Sequence, residues 1–345
     1  MDRTERLKNL VPALLPWFRG NARNLPWRRD PTPYHVWLSE IMLQQTRVEA
    51  VKPYYERFLR EIPDIAALAA ADPEQLHKLW EGLGYYSRVR NLRSAAQQIM
   101  QQHGGQFPAD YADIRALKGV GDYTAGAIAS ICFGQPIPAV DGNVLRVLAR
   151  ITGDERPVTE EKTKAAVRAD LAAVYPAEQC GTFTQALMEL GATVCLPNGA
   201  PDCGRCPCRD FCLSRNGGWK TLPVKAAKKP RRKEDLTVFV LRCGDCTAVR
   251  KRGESGLLAG LWEFPNVPGH LTPEEALQQA EVWGVHPYEL EREMHRSHIF
   301  THVEWDMRCF VLRCWEMPPD FIWADETALD QRIALPTAFR MFRED

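Results

Sequence analysis

Two carboxylates and one group of cysteines are the parts of this 345-residue chain best suited to chemistry. Asp141 lies in PAVDGNV, Pro138 to Val144, shortly after the stretch LKGVGDYTAGAI, Leu117 to Ile128. There Gly119 and Gly121 bracket Val120, so the backbone can turn with positive φ and leave successive N–H groups free where a helix begins at about Tyr123. A helix N-terminus of this kind binds a phosphate, and Asp141 then sets a carboxylate beside the bound anion. A Gly-x-Gly turn on its own is equally at home in a helix cap or a tight loop. The second carboxylate, Glu40, stands in YHVWLSEIMLQQTRVEAV, whose Val36, Trp37, Ile41, Met42 and Val48 recur at helical spacing. An ionised carboxylate inside an apolar stripe is costly, so Glu40 is paired, at the mouth of a cavity, or simply solvated at the edge of the face.

Eleven cysteines, an odd number, include five gathered as Cys195, Cys203, Cys206, Cys208 and Cys212. That clustering points to a metal or cluster site in a reducing compartment rather than to a disulfide framework. Drawn as Cys195, Cys203, Cys206 and Cys212, four ligands have spacings that suit an iron–sulfur cluster or zinc alike, and Cys208 could replace one of them. Arg205 and Arg209, interleaved with these thiols, suggest phosphate contacts.

The elements that must position these groups follow from length and grammar. A chain of 345 residues favours two domains. Lys plus Arg and Asp plus Glu both total 44, so any basic surface is local. The first twenty or so residues lack the pattern of a signal peptide, and no apolar run reaches the length of a membrane span. Helical spacing with Gly and Pro breaks runs through residues 1–215, giving an all-α domain. Within it Leu25, Pro26 and Trp27 pin a segment to the core, while Arg28 and Arg29 could meet phosphates. In WEGLGYYSRVRNL, Gly82 and Gly84 permit a tight turn, the tyrosines offer faces for base stacking, and Arg88, Arg90 and Arg93 recur along a helix; a plain turn with core tyrosines would read the same way. Residues 216–235 form a basic linker containing Lys220, Lys225, Lys228, Lys229, Arg231, Arg232 and Lys233, either a solvated tether or a track for phosphates. From 236 to 345 short β-branched and aromatic strands alternate with the helix-like TPEEALQQAEVWG, an α+β domain.

LPWR, SEIMLQQT, the Leu117–Ile128 hairpin with its trailing Asp141, and the cysteine loop together closely resemble the MutY-type adenine DNA glycosylases of the helix-hairpin-helix base-excision superfamily. The resemblance runs from Leu25 to about His302. It implies that Glu40 is the catalytic acid, that Asp141 stays ionised beside the sugar, and that Tyr123 hydrogen-bonds near them. Gln44, Gln45 and Thr46, following Leu43, would enter the DNA stack, and Tyr85 would insert beside the damaged base. Leu25, Arg28, Arg88, Gly119, Val120 and Gly121 would contact DNA, whereas Trp27 and Gln185 would contact adenine; the family commonly has Asn where Thr184 stands.

The cysteines would hold a 4Fe-4S cluster, although the first interval is one residue longer than the superfamily's usual one. The C-terminal part resembles a Nudix-like domain in which Glu274, Glu275 and Glu281 do not make the glutamate array of a hydrolase, and Phe300-Thr301-His302 replaces a Phe-Ser-His turn that reads 8-oxoguanine. Endonuclease III-type lyases carry a Schiff-base Lys where Tyr123 stands, so the resemblance implies a monofunctional enzyme. Asp122, where the family usually has Pro, puts a negative charge near the DNA without a compensating partner visible in the sequence.

The implied partner is double-stranded DNA with adenine opposite 8-oxoguanine or guanine. A monomer, cytoplasmic and nucleoid-associated in a bacterium, with no membrane contact, completes the expectation. The alternatives are a bifunctional pyrimidine-damage glycosylase and lyase, a non-catalytic lesion-binding protein, and a nucleotide-pyrophosphate hydrolase.

Overall fold

The computed structural model describes residues 1–227 and 230–343, so Lys228 and Lys229 of the basic stretch lie outside the described residues. Two compact units emerge. One comprises Met1–Ala70 with Arg90–Ala227, the other Ala71–Val89 with the described residues of Lys228–Asp345.

The first unit is helical, with no strand among its described residues. Local chemistry sets its boundaries. Thr32 caps the helix Pro33–Leu43, with Pro33 occupying the first turn, where a missing N–H costs nothing. Gly134 and Gly153, both left-handed, end the helices Asp122–Phe133 and Gly142–Thr152. The core forms where Leu10, Leu14, Val144, Val147, Phe183 and Leu187 meet. Close backbone approach is built into this packing. A Cβ on Gly126 would lie 2.6 Å from the Pro138 carbonyl oxygen, and one on Gly181 would lie 2.6 Å from that of Ser130. The helix Asp122–Phe133 can therefore lie directly on the segment that delivers Asp141.

One helix runs shorter than its apolar spacing suggests. The chain leaves the helix after Leu43, turns through Gln44–Arg47, and restarts as Val48–Glu61, so Val48 is not in the stripe that holds Glu40. Gln45, at φ 59°, marks the break.

In the second unit a seven-stranded mixed sheet has its main order β3-β2-β1-β6-β5. Here β1 is Arg232–Cys243, β2 Cys246–Lys251, β3 Trp262–Glu263, β4 Asn266–Pro268, β5 Pro287–Ile299, β6 Val303–Cys314 and β7 Ile322–Asp325. The neighbours β1 and β6 run parallel, while β5 and β6 form an antiparallel hairpin. Both faces are covered. Along β1, Val238 and Val240 pack on one side with Phe339 and Phe342, whereas Phe239 and Leu241 pack on the other with Ala276 and Ala280 of the helix Pro273–Val282. That alternation explains why LTVFVL reads as a continuous apolar run.

Strand β1 starts inside the stretch expected to be a linker. Arg232 donates its backbone N–H to the His302 carbonyl at 3.0 Å, and the Arg231 guanidinium donates to the Phe300 carbonyl at 3.1 Å. These two cations therefore begin the sheet rather than extend a tether. Residues 71–89 belong to this unit although they precede it by more than a hundred positions. Lys78 donates to the carbonyls of Leu329 and Ile333, each at 3.1 Å, and Glu74 accepts from Lys251 at 2.5 Å and from the Trp262 indole at 2.7 Å. Glu81 accepts from the Leu335 backbone N–H at 2.9 Å. Polar side chains make all of these ties, so hydrophobic periodicity does not foretell them.

Candidate active site

Glu40 is only 7% exposed, on a helix whose neighbours Leu38, Ile41 and Met42 are buried. Burial pushes its carboxyl up to about 7, against a downward pull from its hydrogen bond with Tyr123; the charge of Asp141 pushes it further up, and Arg28 pulls it down. The Tyr123 hydroxyl donates to Glu40 Oε2 at 2.5 Å. Tyr123 lies in the first turn of the helix Asp122–Phe133, and burial together with the charges of Glu40 and Asp141 raises its phenol well above its ordinary value. Two elements far apart in the chain thus set a carboxyl group and a phenol on one hydrogen bond.

Asp141 is the N-cap of the helix Gly142–Thr152. It accepts from the Val144 backbone N–H at 2.7 Å and from the Asn143 side chain at 2.8 Å. Burial raises its carboxyl, and those donors work in the opposite direction. From Asn143 the contacts run on. Arg146 donates to Asn143 Oδ1 at 2.9 Å, to the Gly191 carbonyl at 2.8 Å and to the Cys195 carbonyl at 2.9 Å. One turn later Arg150 donates to Leu196 and Leu222 carbonyls at 2.8 and 2.9 Å and lies 3.4 Å from Cys195 Sγ. A single helix therefore carries the carboxylate at its start and, through two buried arginines, holds the start of the cysteine loop. No sequence motif singles out either arginine, since the hydrogen bonds that tie them to carbonyls reach residues 45 or more positions away.

Cys195, Cys203, Cys206 and Cys212 line one cavity together with Arg150 and Arg209. Cys208 does not. It is fully buried in the hydrophobic core beside Val194. The four thiols line a single cavity, a donor set that fits an iron–sulfur group.

The hairpin turn contains one left-handed glycine, not two. Gly119 has φ +77°, and a Cβ there would lie 2.6 Å from that of Asn91, so glycine is required. Gly121, at φ −94° and ψ 175°, is an extended N-cap instead of a second left-handed residue, and Val120 is buried as a core anchor. Asp122 finds the partners that its sequence neighbours concealed. Arg115 bonds it at 2.6 Å and Arg168 pairs with it at 2.9 Å, the Arg115 bond contributing most to a carboxyl held below the usual range.

Several residues expected at the DNA surface are engaged in the protein. Arg28 pairs at 2.8 Å with Glu189, whose side chain is fully buried and also binds Arg23 at 2.6 Å. Burial alone would raise the Glu189 carboxyl; these two arginines hold it below its ordinary value. Leu25 and Trp27 are buried, with the Trp27 ring edge-on to Tyr55 at 5.4 Å. Thr184 sits in a buried hydroxyl chain, 2.7 Å from Ser130 Oγ and 2.6 Å from the Tyr175 hydroxyl, while its neighbour Gln185 remains half-buried. Arg88 is inward as well. It donates to the carbonyls of Leu83 and Gly84 at 2.9 and 3.0 Å and lies over the Trp80 and Tyr85 rings, with burial lowering its guanidinium to about 10. It shapes the Gly82–Tyr85 loop instead of facing solvent.

Two expected wedge residues share an uncommon backbone. Gln45 and Tyr85 have φ of 59° and 48°, a region that non-glycine residues adopt at a cost. Gln45 is exposed, Gln44 and Thr46 half-buried. Tyr85 is 47% exposed, and its hydroxyl lies 3.0 Å from Thr301 Oγ1 within the second unit. Phe300, Thr301 and His302 form the turn between β5 and β6, closed by Phe300 N–H to the Val303 carbonyl at 2.8 Å. Phe300 stacks edge-on to Trp305 at 4.8 Å, leaving Thr301 and His302 exposed. In the same unit the helix glutamates have structural employment. Glu275 closes a capping box with Thr272, and Glu281 pairs with His286 at 2.7 Å.

The chain is similar to known proteins across both units. Residues 38–173 match the HhH-GPD superfamily base excision DNA repair proteins, and residues 237–344 match the NUDIX domain. The adenine DNA glycosylase of Mus musculus is 34% identical over 96% of this chain and 77% of its own length. That of Buchnera aphidicola subsp. Schizaphis graminum is 33% identical over 78% of each. Among solved structures, a thermostable thymine-DNA glycosylase matches 61% of this chain and 97% of its own with a TM-score of 0.55 at 25% identity. An endonuclease III–DNA complex shares the fold over 64% of this chain and 99% of its own, with a TM-score of 0.54 at 22% identity.

Proposed function

Because the chain belongs to the adenine DNA glycosylases of the HhH-GPD base-excision superfamily, we propose that it excises adenine mispaired with 8-oxoguanine or guanine in double-stranded DNA. The observation that carries this reading is electrostatic. Glu40 is buried with its carboxyl raised to about 7, and the charge of Asp141 acts on it. Two carboxylates thus share one site in different environments, which divides acid from anion.

The extruded adenine takes a proton from Glu40, most simply at N7, while the C1′–N9 bond breaks and its electron pair leaves with the base. Asp141, whose charged form Val144 N–H and the Asn143 amide favour against burial, faces the oxocarbenium-like sugar until water adds at C1′ and gives its proton to the Glu40 carboxylate. In the alternative course Asp141 bonds covalently to C1′ before water releases it. Tyr123 supplies a phenol where a lyase would need an amine, so no Schiff base forms and the strand stays intact. Gln44, Gln45 and Thr46 would replace the lost stacking, with the turn Gly119-Val120-Gly121 seating a phosphate at the helix start, Val120 N–H itself being bonded to the Leu117 carbonyl at 3.1 Å. Trp27 and Gln185 would border the adenine pocket, Trp27 as a buried wall. Tyr85 and Thr301, joined through their hydroxyls, would meet the opposite base, flanked by Phe300 and His302. Leu25 and Arg28 would support the DNA-facing side of the first unit from within, and Arg88 would hold the Gly82–Tyr85 loop of the second.

Cys195, Cys203, Cys206 and Cys212 would hold a 4Fe-4S cluster, which supplies a rigid cross-link to the loop and takes no part in bond cleavage. The decisive test is single-turnover excision from duplexes carrying adenine opposite 8-oxoguanine, adenine opposite guanine, or thymine glycol, each with and without alkali. Strand breaks that need alkali, and only with adenine substrates, are expected. Untouched adenine opposite 8-oxoguanine, or an Asp141→Asn variant with full activity, would sink the reading.

A further inference from the structure

Away from the carboxylates and the cysteine loop, three potential metal ligands converge on one edge of the β5–β6 hairpin. His270 follows β4, His295 lies on β5 and Asp306 on β6; their ligand atoms all fall within 4.8 Å of one another. The register explains the convergence. Ser297 stands opposite Asp306, which makes His295 its diagonal neighbour on the same face. His270 is oriented independently, because its Nε2–H donates to the Asp306 backbone carbonyl at 3.1 Å and leaves a lone pair on Nδ1. The two imidazole rings are 6.0 Å apart between centroids.

Asp306 Oδ1 is the informative atom. It approaches His295 Nε2 to 2.5 Å, yet this buried oxygen makes no hydrogen bond among the described residues. The two groups are in close contact without the alignment of a donor and acceptor, so an electron pair on the carboxylate remains for a cation. The nearest like-strand cation is otherwise engaged, Arg308 being bonded to Glu293 at 2.6 Å and to the Leu271 carbonyl at 2.9 Å.

We propose that His270, His295 and Asp306 bind one borderline divalent transition-metal ion of the zinc class. Two imidazoles and one carboxylate are a donor set that prefers such ions to calcium or magnesium, and an exposed edge leaves a fourth position for water. Tetrahedral ligands on zinc sit about 3.4 Å apart for bonds of about 2.1 Å, so the exposed His295 ring must open by about an ångström from its 2.5 Å approach to Asp306, and any wider separation, at most 4.8 Å, must close. The His270–carbonyl bond already supplies the outer contact that orients a metal-bound histidine. Such an ion would tie the segment after β4 to both strands of the hairpin that carries Phe300-Thr301-His302, and so would stiffen that turn. This inference is independent of the excision reading.

The test uses the full chain with its cysteine-loop cofactor in place, dialysed against a mild chelator and then titrated calorimetrically with zinc chloride. One equivalent should bind, and His270→Ala, His295→Ala and the gentler Asp306→Asn should each weaken it by at least about tenfold. Zinc should raise the melting temperature and slow amide exchange in residues 295–306 of the parent but not of the variants, whose melting temperatures without zinc should match the parent's. Absence of a bound equivalent, or zinc binding that all three variants retain because the cysteines provide it, would overturn the proposal.

Discussion

Tyr123 donates its hydroxyl to Glu40 across 2.5 Å, at the chain position where a lyase would place its amine. The bond favours the carboxylate, and burial favours the neutral acid; burial wins, leaving the carboxyl near 7. Tyr123→Phe should therefore move the alkaline limb of the excision rate to higher pH while lowering the maximum, since the acid becomes weaker and less well held. A pH profile unchanged by Tyr123→Phe would show that the bond does not tune the acid. Tyr123→Lys should add borohydride-trappable cross-linking to DNA, readable on a denaturing gel.

The two acids predict a bell-shaped profile. Excision should fall as pH rises through about 7, where Glu40 loses its proton, and also at acid pH as Asp141, itself raised above its ordinary value, becomes neutral. In Glu40→Gln the activity should drop by orders of magnitude with DNA binding preserved, as measured by single-turnover rates and by fluorescence anisotropy.

Stability should follow the same group with an unusual sign for a glutamate. The folded carboxyl lies at about 7 against 4.5 for the free side chain, so the native state binds the extra proton between those values. Stability attributable to Glu40 is accordingly full below about 4.5 and is lost as pH rises to about 7. Glu40→Gln should remove that slope and gain up to about 3 kcal/mol at pH 8, an upper figure from about 1.4 kcal/mol per pKa unit. Denaturant melts of both proteins at pH 5 and pH 8 check it; equal differences at the two pH values would contradict it.

Arg146 joins the Asp141 cap to the cysteine loop through Asn143 and the Cys195 carbonyl. Truncation leaves three acceptors without their donor, so Arg146→Ala should destabilise by about 3 kcal/mol. It should also slow excision more than Arg146→Lys does. A variant with parental melting temperature and rate would remove this helix from the positioning of Asp141.

Tyr85 and Thr301 bring hydroxyls together from segments more than two hundred residues apart in the sequence. A double-mutant cycle of Tyr85→Phe and Thr301→Val should give a coupling of about 0.5 to 1.5 kcal/mol in stability. The same cycle should show non-additive loss of discrimination between 8-oxoguanine and guanine opposite adenine. Simple additivity in both measurements would reduce the contact to coincidence.

Much of the site was written locally. The Gly119 turn, the N-cap at Asp141, the thiol spacing and the change from helical to alternating periodicity are short-range consequences of residue type, and the sequence determines them without help. What only tertiary structure decided were the long-range polar pairings. Arg28 and Glu189, Asp122 with Arg115 and Arg168, and the ties that draw residues 71–89 into the second unit depend on which exposed-looking charges meet once the chain is packed. Hydrophobic burial has a period that a sequence displays, whereas a hydrogen bond between distant side chains has none. For that reason Glu40 stands out in the sequence as a carboxylate within an apolar stripe, but its elevated carboxyl exists only because folding closes apolar walls around it and brings Asp141 near, against the pull of Tyr123.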